Sequence, residues 1–259
     1  MTIEFIKPAA SMRPTGSNTL PMDPWARRIL NLILGHLSHD ANIFECTLTG
    51  PILRAKAPTI LAIGAPDGVL PYPVWEPIHL SKGEELDLRK LGGSSRIYLA
   101  LDSSSASSFA AKSLPMTPMY KVANGSPLRV KKLGSLELSW LAEDCLFTGD
   151  TFQLLSASDR RGLRYAAATE VQGGREIPPE PMTYGAIQLP PSGKPIIVGP
   201  DGPLTGGYRR VATVAYTSLR NLAWQLPGDY VTFTKISREK ALQQVLDLED
   251  ALVRDLVPC

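Results

Sequence analysis

Gly185-Ala186-Ile187-Gln188-Leu189-Pro190-Pro191-Ser192-Gly193-Lys194-Pro195-Ile196 sets a proline-rich turn between two short apolar runs. Proline fixes its own φ and donates no backbone hydrogen bond, so no helix passes through this stretch and the flanking runs read as strands. A second unusual turn is expected just downstream at Leu204-Thr205-Gly206-Gly207-Tyr208. Adjacent glycines permit positive φ or close approach of the backbone to a ligand, and they also occur in ordinary tight turns, so a ligand loop and a rigid hairpin both stay open. Upstream, Ser156-Ala157-Ser158-Asp159-Arg160-Arg161-Gly162 ends a strand with an acid beside two guanidinium groups. Such a cluster clamps a carboxylate or phosphate through bidentate hydrogen bonds, or forms a solvated charge pair.

Outward from this region, period-two patterning dominates. In Ile43-Phe44-Glu45-Cys46-Thr47-Leu48 the alternation places Phe44, Cys46 and Leu48 on one face and Glu45 and Thr47 on the other, off the core. Residues 59–63, 95–101, 152–157, 210–216 and 230–236 are further strand candidates. Turns at Lys82-Gly83 and Pro227-Gly228-Asp229 supply the punctuation of a meander or barrel. Two helices are expected. Asp23 caps the first and Pro24 opens it; Trp25, Ile29, Leu32 and Ile33 share a face, and Gly35 stops it. Ser237 caps the second, which runs to about residue 256 with Leu242, Val245, Leu252 and Leu256 along one side. A Ser/Pro/Ala-rich stretch over 102–127 has weak periodicity and marks a boundary between halves, set at 1–115 and 116–259 with the terminal helix in the second.

Composition narrows the classes. The 259 residues carry 27 Lys+Arg against 25 Asp+Glu, a formal net charge of +2, with no concentrated basic stripe of the kind a nucleic-acid surface needs. The 23 prolines and 21 glycines are scattered as single turn signals, which disfavours disorder and collagen-like structure. No segment approaches the ~20 apolar residues that span a bilayer, and the N-terminal residues lack a signal-peptide pattern. Cys46, Cys145 and Cys259 are far apart, odd in number and without Cys-x-x-Cys spacing, as suits a reducing compartment. A cytoplasmic protein without membrane or nucleic-acid partners is therefore expected.

Familiar chemistry is mostly missing. His36, His39 and His79 are the only histidines, and no second ligand cluster accompanies them, so no metal site is expected. There is no Gly-x-Ser-x-Gly elbow and no dinucleotide fingerprint. Gly193-Lys194 invites a phosphate-loop reading, but Gly185 lies too far upstream and Pro195 replaces the hydroxyl residue that would hold magnesium.

The ordered motifs resemble the family of allophanate hydrolase subunit 2, also described as biotin-dependent carboxyltransferase-like proteins and including the C-type component of 5-oxoprolinase. The similarity rests on 185–196, Thr205-Gly206-Gly207-Tyr208, Ala212-Thr213-Val214, Leu226-Pro227-Gly228-Asp229 with Val231 and Phe233, and Ser158-Asp159-Arg160 with Gly162 and Arg164. Met22-Asp23 before a helix and Glu45-Cys46-Thr47-Leu48 with Gly50-Pro51 extend it into the N-terminal half. The resemblance implies a mainly β fold with a few helices, built as two tandem cyclophilin-like β-barrel domains. It also implies a heteromeric complex with a subunit-1-type partner (the B-type component) and an A-type component.

For 5-oxoprolinase members the implied reaction is ATP-dependent opening of 5-oxo-L-proline to L-glutamate. ATP is a co-substrate of the complex, held by this chain or by another of its chains: phosphorylating the lactam oxygen makes an unreactive ring an electrophile for water. Such a site needs cations for phosphate charge and donors for a developing oxyanion. On that resemblance Glu45, Asp159, Arg160 and Gln188 are candidate catalytic residues, and Arg164, Gly185, Gly206, Gly207 and Tyr208 candidate substrate-binding residues. Two departures bear on catalysis and leave the scaffold untouched. Residues 11–18 lack the family's Gln-Asp pair, and Asp102-Ser103-Ser104-Ser105 replaces a glycine-rich turn. The competing class is a non-catalytic protein that captures the subunit-1-type partner, as a kinase-inhibitor antagonist does. Biotin-dependent carboxyl transfer is a third option, with biotin carried on another protein.

Overall fold

The computed structural model describes residues 2–16, 19–36, 42–102, 119–129, 135–141, 150–167 and 171–258. The chain divides into two compact units, Met1–Lys131 with Leu248–Cys259, and Lys132–Asp247. The expected boundary at 115/116 lies outside the described residues, as do His39, Cys145 and Cys259. The end of the terminal helix belongs to the first unit rather than to the C-terminal half.

The first unit contains β1 (Ile3–Lys7), β2 (Ser11–Pro14), α1 (Pro24–Ile33), β3 (Asn42–Thr47), β4 (Ile52–Ala55), β5 (Thr59–Gly64), β6 (Pro77–Leu80), β7 (Glu85–Asp87), β8 (Arg96–Leu101) and β9 (Tyr120–Val122). They form a three-stranded sheet β1-β4-β7 and a five-stranded sheet β2-β3-β8-β5-β6. The first helix follows its sequence signals closely. Asp23 accepts from the backbone N–H groups of Trp25 (2.8 Å) and Ala26 (3.1 Å), Pro24 opens the helix, and Gly35 takes φ 75° just beyond the last turn. Its buried side chains, including Trp25, Ile29 and Ile33, pack on β5 and β8, while Leu32 is only half-buried.

The second unit contains β10 (Ser135–Leu141), β11 (Thr151–Leu154), β12 (Gly162–Ala167), β13 (Glu176–Pro181), β14 (Ala186–Gln188), β15 (Ile196–Val198), β16 (Thr205–Tyr208), β17 (Arg210–Val214), α2 (Tyr216–Leu222) and β18 (Tyr230–Lys235). Seven of these strands close into a barrel in the order β10-β17-β14-β15-β12-β11-β18, and β13 pairs with β16 as a separate ribbon. Side chains of one parity fill the barrel: Leu163, Tyr165, Ile187, Ile197, Ala212, Phe152 and Phe233 are all buried. Phe233 is the aromatic hub, with ring centroids 5.0 Å from Phe152 and 6.1 Å from Tyr165. The last elements are α3 (Arg238–Arg254) and β19 (Leu256–Pro258), which pairs with β9. The fold is thus mainly β with three helices among the described residues.

Several local expectations are corrected. Leu48 does not continue the β3 face: it lies past the strand with φ 64° and is 62% exposed. Glu45 does not point off the core but is 1% exposed, because its face of β3 lies beneath the residues that lead into α1, where buried Met22 donates its N–H to the carboxylate. Residues 205–208 are a strand rather than a turn, and the strand expected to reach residue 216 stops at Val214, where α2 takes over. That helix has no side-chain cap at Ala215, so it carries no start signal in sequence. On α3, Leu248, Ala251 and Leu252 are the buried residues, Leu242 is exposed, and Leu256 lies in β19.

Candidate functional site

The register of the second unit's barrel lines up residues that are distant in sequence. Gln188 on β14 pairs with Ile196 on β15, and Ile196 pairs with Arg164 on β12. Directly paired residues share a sheet face, and here Leu163, Ile187 and Ile197 turn inward, so Gln188, Ile196 and Arg164 form a row on the outer face. Two strand spacings separate the ends of the row, about 10 Å between the backbones of Gln188 and Arg164. Arg164 is exposed, and its guanidinium has no hydrogen-bond or ion-pair partner among the described residues.

Gln188 is 6% exposed even though it faces outward. The ribbon covers it. Gln188 Nε2 donates to the Tyr208 carbonyl at 3.3 Å, and a Cβ added to Gly206 would lie 2.2 Å from that same nitrogen. Glycine at 206 is therefore what lets β16 lie over the carboxamide. Beside it, Met182, Ala186 and Val198 make a small apolar cluster of their own. The Gln188 carbonyl oxygen accepts no hydrogen bond among the described residues. Gly185 introduces this strand with φ 87°, and a Cβ there would meet Leu219 at 2.8 Å, so its role is in backbone packing. Gly207 has looser surroundings, its nearest neighbour being the Ile177 carbonyl oxygen at 3.5 Å from an added Cβ.

The Ser-Asp-Arg segment is a turn whose side chains face one another. Ser158 Oγ accepts from the Arg164 N–H at 2.9 Å, and Asp159 Oδ1 accepts from the N–H groups of Arg161 (2.8 Å) and Gly162 (3.2 Å). Burial tends to raise the Asp159 pKa. The Arg161 side chain and these two N–H groups outweigh it, so its carboxyl lies below the ordinary aspartate value. Arg160 forms a bidentate pair with Asp201, Nε to Oδ2 and Nη2 to Oδ1, both 2.9 Å. Asp159 and Arg160 thus meet partners within the fold. Asp201 escapes a reading of the sequence, because nothing about an isolated Pro-Asp-Gly turn marks it.

In the first unit, Glu45 anchors a buried polar cluster. Its Oε2 accepts from the Met22 N–H (2.8 Å) and the Tyr98 hydroxyl (2.9 Å), and its Oε1 lies 3.3 Å from Arg96 Nε. Tyr98 in turn accepts from the Asp23 N–H at 2.8 Å, which ties the cluster to the cap of α1. Burial, then the Glu45 and Asp23 charges, push the Tyr98 hydroxyl well above its ordinary pKa. Burial and the Glu45 charge raise the Cys46 thiol to about 12, so it is no thiolate nucleophile near neutrality. No group of three His, Cys, Asp or Glu residues suited to a metal ion occurs among the described residues. No helix among them is long and apolar enough to cross a membrane.

The family model for the carboxyltransferase domain, subdomain A and B, matches residues 18–133 and 105–235. The C-type component of 5-oxoprolinase from Haemophilus influenzae is 37% identical over 89 residues, 34% of this chain and 29% of that protein. The Escherichia coli protein of the same name is 33% identical over 99 residues, 38% of this chain and 32% of its own length. The matched part therefore spans about a third of these relatives. A putative urea carboxylase of Emericella nidulans is 39% identical over 87 residues, 31% of this chain and 7% of that protein. Among solved structures, the K. lactis urea amidolyase aligns with 99% of this chain and 21% of its own at TM-score 0.77 and 18% identity, a likeness of fold.

Proposed function

This chain belongs to the carboxyltransferase-domain family, and from that premise we propose that it is one component of a 5-oxoprolinase-like complex that opens 5-oxo-L-proline to L-glutamate with ATP. The observation that carries the reading is the Gln188 carboxamide, buried under a glycine of the ribbon with its carbonyl oxygen unengaged among the described residues. A lactam is a cis amide, so its N–H and C=O lie on one edge. A carboxamide complements that edge, accepting from the N–H through Oε1 and donating to the C=O through Nε2. Arg164, in the same row, offers a guanidinium to a ring carboxylate.

In this reading the chain holds and orients the lactam. Gly193-Lys194 lies in the turn between β14 and β15 and leads into a strand, so no helix N-terminus follows it to receive a phosphate. In the proposed reading ATP is held by another chain of the complex, and no phosphoryl step is assigned to these residues. The partners are a subunit-1-type protein, the B-type component, and an A-type component, in a cytoplasmic assembly.

Glutamate release from 5-oxo-L-proline by the reconstituted complex, with and without this chain and ATP, tests the proposal. ATP-dependent release that requires the chain supports it. No release, with stable co-elution of the chain and the subunit-1-type partner, supports the non-catalytic binding reading instead.

A further inference from the structure

The ribbon strand that covers Gln188 has two ends, and they are fixed by different means. At its C-terminal end β16 runs almost directly into β17, a barrel strand, and the Arg209 carbonyl accepts from the Leu189 N–H at 3.0 Å. At its N-terminal end the chain arrives from the turn at 199–202. That turn is tied to the β11–β12 turn. Gly199 N–H donates to the Arg161 carbonyl and Asp201 N–H to the Arg160 carbonyl, both at 3.1 Å, while the Arg160 guanidinium grips the Asp201 carboxylate through two bonds of 2.9 Å. The approach is close enough that a Cβ on Gly199 would lie 2.0 Å from the Arg160 carbonyl oxygen, and one on Gly202 2.4 Å from Val198. The Arg160 side chain is 10% exposed and that of Asp201 29%, so solvent screens this pair less than a surface pair.

We infer that Arg160 and Asp201 are positioning residues: their ion pair sets where β16 begins, and hence how Gly206 and the Tyr208 carbonyl lie over Gln188. The pair makes no contact with the lactam in this scheme. It acts through the strand. Leu204 is the first residue beyond the turn to rejoin the ribbon, through the Met182 N–H to Leu204 carbonyl bond at 2.9 Å, and Gly206 follows shortly after. With only a glycine's clearance between β16 and the carboxamide, a small slip of the strand start moves the groups that hold Gln188. The Ser-Asp-Arg motif thereby acquires a second use besides building its own turn. It staples the far turn that launches the cover of the site.

The functional half of this inference rests on the lactam-site reading, whereas the structural half does not. Hydrogen–deuterium exchange on the full chain separates them. Asp201→Asn and Arg160→Met are each expected to speed exchange at residues 204–208 about tenfold or more, with β11, β12 and β18 unchanged. The double variant is expected to show little more than either single one, because both substitutions break the same pair. Unchanged exchange at 204–208, an equal rise across the whole barrel, or additive effects in the double variant would overturn the staple. In the reconstituted complex the single variants should raise the KM for 5-oxo-L-proline more than they lower kcat. If the exchange result holds and turnover does not respond, the staple stands and the lactam-site reading fails.

Discussion

The two units each contain a polar cluster under a secondary-structure element, but the clusters face different demands. In the first, Glu45 accepts from the Met22 N–H and the Tyr98 hydroxyl and faces Arg96, with Glu45 1% and Arg96 6% exposed. In the second, Gln188 is nearly as buried, yet its carbonyl oxygen accepts nothing among the described residues and the nearby row ends in an exposed Arg164. A charged group buried with its complement serves the scaffold, since leaving it uncompensated is so costly. A neutral carboxamide can be buried with one polar atom unengaged at smaller cost, which leaves it available to a ligand. The contrast supports the proposed reading, in which Glu45 belongs to the scaffold and Gln188 to the lactam site.

The comparison breaks most sharply at its charged half. Glu45→Ala removes the partner of buried Arg96, and a loss of about 3–5 kcal/mol is expected, read from urea unfolding. Replacing both, as Glu45→Leu with Arg96→Met, should recover part of that loss. If the double variant is as unstable as the single one, the ion pair is not the source of the effect.

A smaller effect is expected at Gly206→Ala. The added Cβ falls 2.2 Å from Gln188 Nε2, so the carboxamide or the ribbon must shift. About 1–3 kcal/mol of stability, comparable to overpacking elsewhere, should be lost together with most turnover. Gly207→Ala, whose Cβ meets nothing closer than 3.5 Å, serves as the paired control. Equal responses at the two positions would show that close cover of Gln188 does not matter.

Arg164→Ala should leave the unfolding free energy within about 0.5 kcal/mol of the parent, as for other surface changes, and raise the KM for 5-oxo-L-proline about tenfold. An unchanged KM would detach Arg164 from the row's function.

The smallest effect concerns acid. The Arg89 side chain and backbone N–H hold the exposed Asp87 carboxyl at about 2, below the ordinary aspartate value. The folded state thus binds that proton less readily than the unfolded chain. The stabilising contribution is intact above the unfolded pKa and is lost as pH falls toward about 2. Asp87→Asn should flatten that part of the acid limb by lowering the neutral unfolding midpoint slightly, since the contribution it removes is present at neutral pH and already absent near pH 2.

Much of this molecule can be read from its residues. Asp23, Pro24 and Gly35 mark the ends of α1 because caps act locally, and Gly185 to Ile196 reads as strand, turn and strand because proline forbids the alternative. Residues that work through distant partners are harder to read. Alternation places Glu45 outward, since period two cannot tell that the face opposite Cys46 is covered by the residues leading into α1. The Gly206-Gly207 pair reads as a turn because its true constraint is a side chain far earlier in the sequence; only the fold shows Gln188 beneath it. Asp159 and Arg160 are visible as chemistry, yet their partners, Arg161 beside them and Asp201 in a separate turn, decide what that chemistry does.

The most direct test of the account is glutamate release by the reconstituted complex carrying Gln188→Leu, a substitution of similar size without the carboxamide, after its unfolding midpoint has been matched to the parent. The account predicts that kcat/KM for 5-oxo-L-proline falls about a hundredfold or more, as when a site built for a polar edge loses its hydrogen-bonding group. A parental rate from a folded Gln188→Leu chain would contradict it.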